Sequence, residues 1–89
     1  MLEEPKERKV DVALALRAFN KVRESGERDG EGFVYGGLRA STDFDGYTVI
    51  LTDEVTTLRI FFHNKFSLEP TRGKAVERLL SRIKRVANA

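Results

Sequence analysis

The firmest apolar and polar pattern in the chain lies in Phe44-Asp-Gly-Tyr-Thr-Val-Ile-Leu-Thr-Asp-Glu-Val-Thr-Thr-Leu-Arg-Ile-Phe-Phe-His63. It reads as two β-strands joined by a short turn. With Asp53 to Thr56 as the loop, Thr52 faces Thr57, Leu51 faces Leu58, Val49 faces Ile60 and Tyr47 faces Phe62. Side chains alternate with period two, so the last three pairs share one face. Such aromatic and β-branched cross-strand pairs are the unit of sheet stability. The opposite face then carries Ile50, Arg59, Phe61 and His63.

Helical periodicity brackets this hairpin. Val12, Leu16, Phe19 and Val22, with Ala15 beside them, form an apolar stripe that predicts a helix from about Pro5 to Ser25. Leu14 and Ala18 widen the stripe, and Lys9, Arg17, Lys21 and Glu24 take the other side. Gly26 reads as a left-handed stop, and Glu27 to Gly32 as a polar loop. A strand is predicted over Phe33 to Ala40, with Gly36 and Gly37 marking a bulge or a close backbone approach. Two inward faces compete there, Phe33/Tyr35 and Val34/Leu38. Ser41 to Asp45 is read as a loop, with Asp45-Gly46 as the turn signal. Asn64 to Glu69 reads as a crossing loop whose Phe66 and Leu68 plug an edge of the core. The last helix runs from Pro70 or Thr71 to Ala87, with Val76, Leu79, Leu80, Ile83, Val86 and Ala87 as its stripe.

The order α-β-β-β-α predicts the α+β class, with a three-stranded antiparallel meander packed against two helices. Both helices on one side is the simplest arrangement. One helix on each side is the alternative, and it would cover Ile50 and Phe61.

The 89 residues make a single domain over 1–89, with residues 1–7 expected as a disordered tail. There is no cysteine, which excludes disulfides and thiolate metal sites. No run approaches eighteen apolar residues and no secretion signal opens the chain, so a cytoplasmic protein that does not enter membranes is expected. The net charge of +2 is unevenly spread. Residues 1–31 carry seven basic and eight acidic side chains (−1), 32–70 three and five (−2), and 71–89 six and one (+5). The basic character is therefore concentrated in the last helix.

Catalysis would have to use the single histidine, His63, and no nucleophile or orienting group is spaced to converge on it. Ser41-Thr-Asp43-Phe-Asp45-Gly46 resembles a calcium loop, but its first and twelfth positions hold Ser41 and Thr52, not the acidic ligands required. Gly30, Gly32 and Gly36 precede a strand, whereas a dinucleotide fingerprint follows one. Thr71-Arg-Gly-Lys74 lies at a helix start, which favours anions, but lacks the glycine and hydroxyl residue of a nucleotide loop. The reading is no enzyme, no metal and no cofactor.

Two binding surfaces remain. One is the second sheet face, with Ile50, Arg59, Phe61 and His63, suited to a protein partner or to a second copy of the chain as a homodimer. An aromatic flanked by Arg and His can also stack single-stranded RNA. The other is the basic side of the last helix, where Arg78, Arg82 and Arg85, with Lys74 and Arg72 before them, could neutralise phosphates. A solvated face whose cations suit the helix dipole explains the same charges.

Three stretches carry a resemblance: Leu14-Ala-Leu-Arg-Ala-Phe-Asn-Lys-Val-Arg-Glu-Ser-Gly26, Asp43-Phe-Asp-Gly-Tyr-Thr-Val49 and Phe61-Phe-His-Asn-Lys65. Over roughly the first seventy residues the chain resembles the domain-of-unknown-function family 3081, a small gammaproteobacterial family. The resemblance implies a bacterial cytosolic protein and brings no activity with it. The element order is also similar to the double-stranded RNA-binding domain, whose basic cluster Arg72 and Lys74 match loosely. The loop holding Asp43 and Asp45 departs from that family, being acidic where a histidine-bearing loop would enter a minor groove, and topology alone transfers no function. The expectation is a non-enzymatic interaction module, with RNA or DNA binding through the last helix as the alternative.

Overall fold

The computed structural model describes residues 10–44, 46–61, 65–69 and 73–89. Across them run α1 (Val12–Ser25), β1 (Glu27–Asp29), β2 (Gly32–Tyr35), β3 (Leu38–Thr42), β4 (Val49–Thr52), β5 (Thr57–Phe61), β6 (Lys65–Glu69) and α2 (Gly73–Ala87). The strands form one antiparallel sheet in sequence order, β1 to β6. The α+β class and the antiparallel meander therefore stand, but the sheet has six strands where three were expected. The expected tail over 1–7 and the helix start at Pro70 or Thr71 lie outside the described residues, while the first helix begins at Val12 behind an extended Asp11 and not at Pro5 as expected.

The β4–β5 hairpin has the register expected of it, with Val49 on Ile60, Ile50 on Arg59, Leu51 on Leu58 and Thr52 on Thr57. Its loop explains why. Asp53 Oδ1 accepts the N–H of Val55 at 2.8 Å and that of Thr56 at 2.7 Å. The Asp53 N–H in turn donates to the Thr56 carbonyl at 3.1 Å. The Thr52 hydroxyl adds contacts of 2.9 Å to Thr56 O and 3.1 Å to Thr57 Oγ1. Tyr47 does not continue the ladder. Asp43 N–H bonds Thr48 O and Gly46 N–H bonds Asp43 O, closing the β3–β4 loop at Thr48 and leaving Tyr47 in it, 77% exposed. Its expected partner Phe62 lies outside the described residues.

Three further expectations are corrected. The strand expected over Phe33 to Ala40 is two strands, because Gly36 and Gly37 form a two-residue hairpin turn between Tyr35 and Leu38. Both have positive φ, 61° and 84°, as a type I′ turn demands. This resolves the competing faces: Tyr35 and Leu38 are opposite each other, so Phe33, Tyr35 and Leu38 point inward together and Val34 points out. The polar loop before it is also a hairpin, with β1 pairing β2 through Glu27/Val34, Arg28/Phe33 and Asp29/Gly32. Finally, the crossing loop is the strand β6, which seats Leu68 opposite Leu58 and Phe66 opposite Ile60.

Gly26 ends α1 for a reason other than left-handedness. Its φ is −87° and its backbone extended, with its N–H bonded to Val22 O at 2.8 Å. A Cβ there would stand 2.4 Å from Val34 O and 2.5 Å from Val22 O. Only glycine lets the helix exit lie this close to β2. At the other end Asp11 caps the helix, its carboxylate accepting the Leu14 N–H at 3.1 Å.

The core joins Ala15, Ala18, Phe19 and Val22 of α1 to Val76, Leu79, Ile83 and Val86 of α2. Beneath them lie Leu38, Ala40, Leu51, Leu58, Ile60 and Leu68 of the sheet. All these strand residues belong to one face by the pairing register. Both helices therefore cover the same face, and the alternative of one helix on each side does not hold.

These contacts separate two kinds of glycine. Gly26→Ala is expected to destabilise the protein by about 1–3 kcal/mol, since backbone must move. Gly46→Ala, at φ 81° with nothing within 4 Å, meets only the left-handed penalty of roughly 1 kcal/mol. Urea denaturation of the two variants beside the wild type measures the difference.

Candidate functional site

The face turned away from the helices is built row by row from the ladder. One row runs Glu27, Val34, Arg39, Thr52, Thr57 and Glu69. The next holds Ser41, Ile50, Arg59 and Ser67, with Asp29 and Gly32 beyond them, and Phe61 and Lys65 follow on β5 and β6. Apart from Gly32, on which the Arg39 guanidinium lies, none of these residues is buried. Ile50 and Arg59 are half-buried, and Phe61 is 38% exposed at the position diagonal to Ile50. The structure thus brings together three of the four residues expected on this face, and the fourth, His63, lies outside the described residues.

Electrostatically this face is self-neutralised. Among its described residues the acids Glu27, Asp29 and Glu69 match the bases Arg39, Arg59 and Lys65 in number. Arg59 Nη1 lies 3.5 Å from Glu69 Oε1. Arg39 bonds Asp29 through Nε to Oδ2 at 3.3 Å and through Nη2 to the carbonyl at 2.9 Å. Exposed pairs of this kind add little stability but cancel the field a polyanion would need. The apolar centre, Ile50 and Phe61 with Val34 farther out, is flanked by these two pairs and by the exposed Glu27 and Lys65.

The basic side of α2 is a separate surface. Lys74, Arg78 and Arg85 are exposed and one or two helical turns apart, with Glu77 and Ser81 between them around a shallow hollow. Arg82 is turned toward the sheet. Its Nη1 donates to Gly37 O at 3.1 Å, and its stem lies so close to the turn that a Cβ on Gly37 would meet it at 3.1 Å. Val86 approaches Gly36 in the same way. Arg82 therefore clamps the β2–β3 turn onto α2, while Arg72 lies outside the described residues. The stripe offered to solvent is Lys74, Arg78 and Arg85.

Sequence reasoning missed a third exposed feature, the β3–β4 loop. Phe44 is fully exposed and Tyr47 nearly so, three residues apart beside Asp43. The signal was present in the Asp45-Gly46 pair: Gly46, at φ 81°, bonds back to Asp43 O, and β4 starts only at Val49. Among the described residues no group of three or more His, Cys, Asp or Glu is placed to hold a metal. None of their helices is long and apolar enough to cross a membrane.

Together these features define a small α+β domain with a six-stranded antiparallel meander, both helices on one face and the other face uncovered by described residues. The chain belongs to the family described as protein of unknown function (DUF3081), whose model matches residues 10–89. The match runs through α2, farther than the first seventy residues that carry the resemblance. No curated protein matches the chain, and no solved structure does.

Two cations of α2, Arg82 and Arg78, should separate by experiment. Arg82→Ala is expected to lower stability by about 1 kcal/mol, because it removes the bond to Gly37 and the packing of the stem. Arg78→Ala should stay within about 0.5 kcal/mol of wild type. Thermal or urea unfolding of both variants checks this.

Proposed function

We propose that the chain is a cytoplasmic binding module without catalysis of its own, which holds a protein partner against Ile50, Arg59 and Phe61. One observation carries this reading: the helices share a face, and the face they leave has an apolar centre whose two arginines, Arg39 and Arg59, are each paired to a carboxylate, Asp29 and Glu69. A protein surface can add apolar area there without stranding a charge. A polyanion gains nothing from arginines that carboxylates already engage. Phe61 is also the single described aromatic on this face, where stacked nucleobases call for several.

A second reading is supported by the solvent side of α2, where Lys74, Arg78 and Arg85 are opposed by Glu77 alone. RNA or DNA would bind there through phosphates, with Arg72 preceding these residues in sequence. On duplex DNA, removing one of these cations by mutation should reduce the log–log salt slope by about 0.9.

A photo-crosslinking residue placed at position 61, and separately at position 78, tests the two readings. Capture of one discrete protein at 61, abolished by Ile50→Ser and unaffected by Arg78→Ala, is the expected result. Amide shifts confined to α2 on low-salt titration with mixed-sequence oligonucleotides, with no capture at 61, would replace the first reading by the second. Phe61→Ser should leave stability within about 1 kcal/mol of wild type, because the ring is already partly in water.

A further inference from the structure

The sheet ends in two edge strands, and they are not alike. The loop bond from Asp53 N–H to Thr56 O makes those two a bonded pair. Alternation along the ladder then makes Leu51/Leu58 and Val49/Ile60 bonded pairs as well. Thr57, Arg59 and Phe61 must therefore turn their backbone groups to β6, where they meet Glu69, Ser67 and Lys65. Phe66 and Leu68 are left with N–H and C=O directed away from the sheet, and among the described residues no strand pairs with that side.

This edge is complementary to itself. Set two copies of Lys65-Phe-Ser-Leu-Glu69 antiparallel about an axis through Ser67. Phe66 then falls opposite Leu68 of the second copy, and these are the residues whose backbone groups are free to bond. Lys65 falls opposite Glu69, base against acid, on both sides of the axis. The Phe66 ring, 37% exposed on the helix-bearing side, gains an apolar neighbour in the second copy's Leu68. Glu69, already 3.5 Å from Arg59, would be shared between Arg59 and the incoming lysine.

The other edge is built the opposite way. β1 has three residues, Glu27, Arg28 and Asp29, all exposed. The same operation about Arg28 sets Glu27 against Asp29, acid against acid. Short charged edges of this kind discourage pairing. Only one of the two edges accepts a second copy of the chain, so growth stops at a pair.

We propose that the protein forms a two-fold dimer by antiparallel pairing of β6 with β6, joining the two sheets into one. This does not rest on the outer face having a partner. The joined sheet would carry two copies of that face side by side.

Sedimentation over a concentration series up to about 1 mM tests the proposal, because a five-residue ladder is short and its association weak. The wild type should reach twice the mass of one chain. Lys65→Glu and Glu69→Lys each place like charges opposite one another twice, and each should weaken association about tenfold. An equimolar mixture of these two variants restores both opposite-charge pairs and should recover the wild-type affinity. Phe66→Pro removes an N–H that the sheet itself does not use, and should leave a folded monomer by circular dichroism. A wild type that stays monomeric throughout overturns the proposal. So does a dimer unmoved by Lys65→Glu, Glu69→Lys and Phe66→Pro. A dimer broken by Phe61→Ser but not by those three belongs to the outer face and overturns it equally.

Discussion

The carboxylate of Asp53 holds the register on which the rest of the molecule depends. By accepting the N–H groups of Val55 and Thr56 it closes the β4–β5 loop at one length, and loop length decides which residues oppose each other. A slip of one residue between these strands would bring Arg59 under the helices in place of Leu58 or Ile60. Burying that guanidinium without a partner costs far more than the loop bonds are worth, so packing and loop geometry select the same pairing. The neighbouring strands inherit the choice. β3 pairs to β4 and β6 to β5 with the same parity, which places Ala40 and Leu68 in one row with Leu51 and Leu58.

From this parity follows the division of the molecule into a covered side and an uncovered one. Each helix brings a stripe of four buried residues to the inner face, Ala15, Ala18, Phe19 and Val22 from α1, and Val76, Leu79, Ile83 and Val86 from α2. Two contacts fix where they lie. Gly26 lets α1 leave directly against β2, and Arg82 ties α2 to the Gly36-Gly37 turn. What remains is a sheet face whose two arginines are paired to carboxylates, a helix face whose exposed cations have no ion pair among the described residues, and two edges of opposite character. The proposed contacts with other molecules use these surfaces and ask nothing further of the fold.

The parts of this architecture legible in the sequence are those carried by long apolar patterns. Val76 to Val86 repeat at helical spacing, and Val49 to Ile60 alternate across a loop rich in hydrogen-bonding side chains, so both elements and the hairpin's register can be read directly. β1 cannot, because Glu27-Arg-Asp29 has no apolar residue and is a strand only through its pairing with β2. β6 is hidden for a related reason: an edge strand with a single deeply buried residue, Leu68, has too short an alternation to stand out. Gly36 and Gly37 suit an interruption within one strand, but two adjacent glycines are also what a two-residue hairpin requires. Which of the two applies is decided by Leu38 packing on the same side as Tyr35. Of the candidate site, Ile50, Arg59 and Phe61 follow from parity alone. That Arg82 serves the fold does not follow, since its partner is a backbone carbonyl 45 residues away.

The absence of cysteine from the chain allows this division to be measured one residue at a time. Single cysteines placed at 50, 59 and 61, and at 51, 58 and 60, can be alkylated in the folded protein and again in denaturant. Ready labelling of the first three in the native state is expected, with the second three protected until the protein unfolds. Protection of both sets, or labelling of the second set with protection of the first, would contradict this division.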